Sequence, residues 1–98
     1  MEQSAVNSIF KYRPPVLEQL VIIETHAGAD LLSIQFQESL LTFWFLVDTE
    51  RQKVNRFFKV FGTGWEIEDD LDGLQYCATI QQYEMNLVWH IFEIKVAP

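Results

Sequence analysis

The sequence predicts an all-β domain, mainly antiparallel, and three observations carry that expectation. Apolar and polar residues alternate over several short runs. The cleanest is LLSIQFQ (Leu31–Gln37), where Leu32, Ile34 and Phe36 face one way and Ser33, Gln35 and Gln37 the other. β-Branched and aromatic residues dominate these runs, as suits a pleated, half-buried surface. The links are short and rich in turn residues, with almost no helical spacing. Six or seven strands joined by consecutive hairpins predict a compact meander, bent into a small sandwich or barrel, with at most one short helical turn.

Each element follows in order. Residues 1–8 are polar and expected to fray, leaving 9–98 as a single β domain. IFKY (Ile9–Tyr12) is a short strand, ended by Pro14-Pro15 because proline has no N–H for a ladder. LEQLVIIET (Leu17–Thr25) is the next strand, and HAGAD turns around Gly28. After Leu31–Gln37, Glu38-Ser39 makes a tight break into LLTFWFLVD (Leu40–Asp48). That strand has Leu41, Phe43, Phe45 and Val47 on one face and Thr42, Trp44 and Leu46 on the other. A strand apolar on both faces belongs in the middle of a layered structure or beneath an interface. NRFFKVFGTG (Asn55–Gly64) ends at glycines, and EIEDDLDG forms a helical turn or a loop. LQYCATIQQ (Leu74–Gln82) alternates, with Leu74, Tyr76, Ala78 and Ile80 on one face. YEMN then connects it to LVWHIFEIKV (Leu87–Val96).

Composition narrows the function classes. Ninety-eight residues, 49% apolar and 14% aromatic, are too hydrophobic for a disordered chain and enough for one core. Eight Phe, three Trp and three Tyr are a surplus for so small a core, which predicts an apolar surface that meets a partner or a second copy. The net charge of −7 makes nucleic acid an unlikely partner, and only RQKVNRFFK (Arg51–Lys59) offers a local basic patch. A lone cysteine, Cys77, forbids an intrachain disulfide and fits a reducing, cytoplasmic compartment. No apolar run approaches the ~18 residues of a membrane span, and no secretory signal pattern opens the chain.

The stretch VFGTGWEIEDDLDG (Val60–Gly73) concentrates the candidate chemistry. A phosphate cradle needs several glycines before a helix, and the acids that follow Gly62-Thr63-Gly64 would repel an anion. A strand-end turn is the simpler reading. Glu66, Glu68, Asp69, Asp70 and Asp72 lack the alternating oxygens and central glycine of a calcium loop, so no metal is expected. They make a solvated acidic loop, with Asp69 or Asp70 capping a turn, or a surface that mimics phosphate. His26 and His90 have no cysteine pattern for zinc. Cys77 and His90 on neighbouring strands would be the simplest catalytic pair, although a mid-strand cysteine is usually a buried thiol. Arg56, Phe57 and Lys59 come closest to a stacking platform for bases.

IFKY, GADLLSIQFQ, LTFWFLVD, FKVFGTGWEI and VWHIFE occur here in that order, from Ile9 to Glu93. Together they resemble a family of short uncharacterised proteins common in tailed bacteriophages and prophages. The departures are Glu38-Ser39, where the family pattern has glycine, and Glu24-Thr25, where it has Leu-Pro. The resemblance implies a β-rich fold and a phage setting within a bacterial host cell, and it supplies no catalytic residues or cofactor.

The expected function is therefore a small non-enzymatic binding protein, acting on a host or phage protein as an inhibitor. Its contacts would be Glu66, Glu68, Asp69, Asp70, Asp72 and Trp44. A homodimer is expected, formed by an exposed edge at Leu87–Val96 or Ile9–Tyr12. One alternative is a protein that sequesters a nucleotide signal at a subunit interface, through Arg56, Gly62, Thr63, Gly64 and Trp65, with Arg51 as a second candidate for the phosphate. The other is a small hydrolase using His90 or acids near the glycine corner.

Overall fold

The structure, a computed structural model, describes residues 6–95 and contains seven strands. They are β1 (Asn7–Tyr12), β2 (Leu20–His26), β3 (Asp30–Gln37), β4 (Leu40–Asp48), β5 (Lys53–Gly62), β6 (Leu74–Gln82) and β7 (Leu87–Ile94). All pairings are antiparallel, in two sheets ordered β1-β4-β3 and β2-β5-β7-β6. The fold is thus all-β, and the sandwich is the architecture adopted. The meander survives only in the β3–β4 and β6–β7 hairpins. The links β1–β2, β2–β3 and β4–β5 pass between sheets, and β5 reaches β6 across β7. The reason is burial: a single open sheet would leave one face of each apolar strand in water, whereas two sheets cover each other's inner rows.

The inner row of β4 is the expected one. Leu41, Phe43, Phe45 and Val47 are buried against Val21, Ile23, Phe58, Val60, Ile80 and Ile91 of the opposite sheet. The Phe43 and Phe58 rings lie 5.0 Å apart, and Phe45 lies 6.3 Å from Phe58. β4 is the central strand of its sheet, and on its outer face Thr42 is buried, Trp44 half-buried and Leu46 exposed.

Two facing assignments are corrected, both by β-bulges. In β3 the register shifts between Leu31 and Ser33, so Leu31 joins Ile34 and Phe36 inside and Leu32 is turned out, 51% exposed. In β6 it shifts between Tyr76 and Ala78. Tyr76 pairs with Phe92 on the outer face while Ala78 pairs with Ile91 on the inner one, so the four alternating residues do not share a face. An extra residue inverts the alternation beyond it. A third correction concerns edges: β7 lies between β5 and β6, so the closing strand is not an edge. β1 is one, with β3, β2 and β6.

Residues 1–5 and 96–98 lie outside the described residues, so the expectation of fraying is met there by no structural statement. Asn7 and Ser8 belong to β1, and the Val6 carbonyl accepts a hydrogen bond from the Thr49 N–H at 2.8 Å. Glu38 and Ser39 both take positive φ, 54° and 67°, the geometry that lets a two-residue loop follow the sheet's twist. Glycine adopts it freely, and here side chains hold it: Glu38 pairs with Arg13 at 3.0 Å, and Ser39 Oγ donates to Glu84 at 3.3 Å.

The two sides of the sandwich differ. On one, β1 lies against β2: Tyr12 Oη and the fully buried Thr25 Oγ1 are 2.9 Å apart, and Phe10 meets His26 edge-on at 6.0 Å. On the other, β3 lies against β6, and a cleft of about 540 Å³ opens beside their bulges.

Candidate functional site

The glycine corner at the end of β5 is a turn. The Trp65 N–H donates to the Gly62 carbonyl at 3.1 Å, and Gly64 takes φ +90°, which a side chain would strain. Gly62 serves a different purpose. A Cβ there would lie 2.8 Å from the Trp65 indole, which packs edge-on against Trp89 at 5.6 Å. The corner sends Thr63 onto the outer face of the four-stranded sheet, where Thr63 Oγ1 lies 2.7 Å from His90 Nε2. His90 Nδ1 is 3.0 Å from Thr79 Oγ1, which is 2.6 Å from Tyr76 Oη. FGTG and VWHIFE therefore meet in space, with Phe61 opposite His90 and Gly62 opposite Trp89. Hydroxyls both donate and accept, so this chain satisfies either imidazole tautomer and the imidazolium. Its partners are hydroxyls throughout, and no carboxylate orients the ring among the described hydrogen bonds, as a nucleophile–base–acid arrangement would require.

Cys77 is not part of it. It lines the inner cleft with Arg56 and Glu93, on the opposite face of the sheet from His90, so the Cys77–His90 pair is not assembled. Burial pushes its thiol pKa up, away from a reactive thiolate.

The acidic loop, Glu66–Asp72, leaves the corner and returns to β6. Lys59 on the outer face of β5 holds Asp69 at 2.7 Å. Phe61, also on that face, is buried. Asp70 caps a 3₁₀ turn over Leu71–Gly73, accepting from the Asp72 N–H at 3.0 Å. Glu66, Glu68, Asp70 and Asp72 point into solvent. Beside them stand exposed apolar residues, Leu20 and Ile22 of β2, Leu71 and Tyr76, whereas Trp65 turns to the other face, onto Trp89. Ile22 is 54% exposed and pairs with Phe57. The loop thus makes an acidic rim to an apolar patch.

Arg56 lies elsewhere. It points inward from β5, and its Nε and Nη2 donate to both carboxylate oxygens of Glu93 at 2.6 and 2.8 Å. Nη1 donates to the Ala29 carbonyl, and the guanidinium sits 5.1 Å from the Phe45 ring centroid. The hydrogen bond with Glu93 outweighs burial and raises its pKa. Gly62 is six residues on from Arg56 in the same row, about 20 Å along the strand. Phe57 and Lys59 face outward, so the stacking platform is not formed either. Arg51 lies at the far end of β5, beside Gly28. Trp44 is half-buried on the outer face of the three-stranded sheet, away from the acidic loop.

Glu93, Gln75 and Asp30, which complete the cleft around Arg56, did not stand out in the sequence. A signal exists: Trp89, Ile91 and Glu93 form one alternating row, and Arg56, Phe58 and Val60 another. A charge of each sign at the end of an apolar row points to a pair across neighbouring strands.

Together these features define a two-sheet antiparallel sandwich with an acid-rimmed outer face and an ion-paired inner cleft. The chain belongs to the domain of unknown function family DUF7352, whose model matches residues 5–97. No curated protein and no solved structure matches it.

Proposed function

We propose that the protein is a non-enzymatic binding protein that occupies the surface of another protein through the outer face of its four-stranded sheet. The observation that carries this reading is the acidic rim beside exposed Leu20, Ile22, Leu71 and Tyr76. An apolar centre with a charged margin is the anatomy of a protein-contact patch. The excess of acid selects a target with a basic rim and speeds encounter. The resemblance to phage proteins supports a setting in a bacterial cell, with a host protein as the target and inhibition as the outcome. The chain of hydroxyls around His90 holds the corner from which the loop departs, which is a structural role. A nucleotide-sequestering role draws less support, because Arg56 is committed to Glu93 and lies apart from Gly62–Trp65.

The test is capture of targets from bacterial lysate by the tagged chain, with affinity then measured for the captured protein. Replacing Glu66, Glu68 and Asp72 by Lys should weaken binding about tenfold or more and reverse its salt dependence. Ile22→Glu should weaken it at any salt. Asp69 is left in place because Lys59 holds it. Binding unaffected by either change would refute the assignment of this face.

A further inference from the structure

At the end of the sandwich where β5 turns into the acidic loop, Trp65 and Trp89 meet as a T, with ring centroids 5.6 Å apart and planes at 86°. Trp89 begins the inner row of β7, and its Nε1 donates to the Gln82 amide oxygen at 2.9 Å. Trp65 lies against the β5 backbone at Gly62, which permits this by having no Cβ. Both rings are therefore placed before any ligand arrives. Trp65 is nonetheless 52% exposed, so the pair is open to a guest. A T has two inside corners, and two hollows, of about 320 and 90 Å³, are each lined by both indoles. Leu17, Glu18 and Val60 also line the smaller one. The Gln19 carbonyl accepts from the Val60 N–H at 2.8 Å, which ties the segment carrying Glu18 to β5 beside the rings.

We propose that this corner binds a small organic cation, a methylated ammonium group. The face of an aromatic ring attracts a cation through its quadrupole, and tryptophan does so best. Two indoles at right angles offer that attraction to one guest from two sides. Charge selects the occupant. Glu18 lines the smaller hollow and pairs with no cation among the described residues. No Lys, Arg or His lines either hollow, so the chain does not fill the cationic role itself. The net charge of −7 draws cations to the surface. Hydration decides which cation. A bare ammonium is strongly hydrated, and one carboxylate with apolar walls does not replace its water. A methylated ammonium has little such water to lose and buries its methyl groups against Leu17 and Val60. The smaller hollow is well below the roughly 300 Å³ at which pockets enclose a whole small molecule, so it takes one compact head group and leaves the rest outside. Free quaternary amines and methylated lysine side chains both carry that head group. The site lies off the acid-rimmed outer face, goes beyond the reading above and does not depend on it.

The test is a nuclear magnetic resonance titration of the purified, isotope-labelled full chain with choline chloride, at an ionic strength held constant with sodium chloride. The indole N–H resonances of Trp65 and Trp89 should shift saturably, with a Kd on the order of 1 mM. That of Trp44, on the other sheet, should stay still. Trp65→Ala should weaken binding about tenfold or more, read at Trp89. Its β-sheet circular-dichroism spectrum should be unchanged, because half of the side chain is already in water. Gly62→Ala should weaken binding as much with both rings retained, because its Cβ would lie 2.8 Å from the Trp65 indole and push it aside. Glu18→Gln should cost about fivefold. A peptide carrying trimethyllysine separates the two sources: tighter binding than choline assigns a protein-borne ligand, and equal or weaker binding assigns a free amine. No saturable shift up to about 20 mM choline, an equal response to dimethylbutanol, its uncharged carbon isostere, or a Trp65→Ala chain that binds as the parent does would overturn the proposal.

Discussion

The side of the sandwich where β1 meets β2 and the side where β3 faces β6 are built by the same seven strands and end differently. On the first, the inner positions are Tyr12, Thr25 and Phe10, and the sheets close until Tyr12 and Thr25 share a hydrogen bond at 2.9 Å. On the second, Arg56, Glu93 and Gln75 occupy inner positions, and a water-accessible cleft opens beside the contact of β3 with β6. Polar groups taken fully out of water need every bond replaced. Arg56 and Glu93 satisfy most of theirs and keep about one-fifth of each side chain exposed. The comparison teaches that the few residues at the end of an inner row decide whether water enters beside it.

The largest effect should come from the residue that touches both sides. Phe45 meets Tyr12 at 5.7 Å and carries Arg56 over its ring at 5.1 Å. Phe45→Ala should cost about 4 kcal/mol in urea unfolding, by loss of burial and by cavity formation. Next, Glu93→Ala strands a mostly buried guanidinium and should cost about 2–3 kcal/mol, allowing for its partial exposure. Replacing both partners, Arg56→Met with Glu93→Leu, should come back to within about 1 kcal/mol of the parent and narrow the cleft. A double variant as unstable as the single one would show that the cleft is not held open by charge. Smaller again, Tyr12→Phe leaves Thr25 without its partner on the closed side, for about 1 kcal/mol.

The smallest effect concerns Cys77. Burial holds its folded pKa above the ordinary thiol value, so the neutral form is favoured in the fold. Its contribution to stability is therefore complete below about pH 8.5, the unfolded thiol range, and is lost as pH rises through the raised folded value. Alkylation of Cys77 near pH 8 should be slow in the native chain and fast in urea. Rapid native labelling would mean that the open side breathes more widely than its ion pair suggests.

Much of this was legible beforehand. The bounds of β4 and β6 follow from hydrophobic runs punctuated by turn residues, and the inner row of β4 follows from alternation alone. The glycine corner was recognisable as a turn, and a cap at Asp69 or Asp70 was expected, of which Asp70 is the one formed. What escaped was the placing of Leu32 and of Tyr76 against Ala78, because a bulge inserts one residue without leaving a composition signal. Arg56 and Gly62 were grouped because one strand carries both on one face, yet that strand separates them by its length.

By itself, then, the sequence determined the strands, most of the residues that face inward, and the positions where only glycine serves. Those depend on local geometry and on a period of two, which neighbouring residues carry between them. Tertiary structure decided which strands became edges, how Thr63 and Trp65 came to meet His90 and Trp89, and where the cleft around Arg56 opened. Strand order and register arise from competition among distant segments for the same buried surface, and no single stretch of chain contains that information.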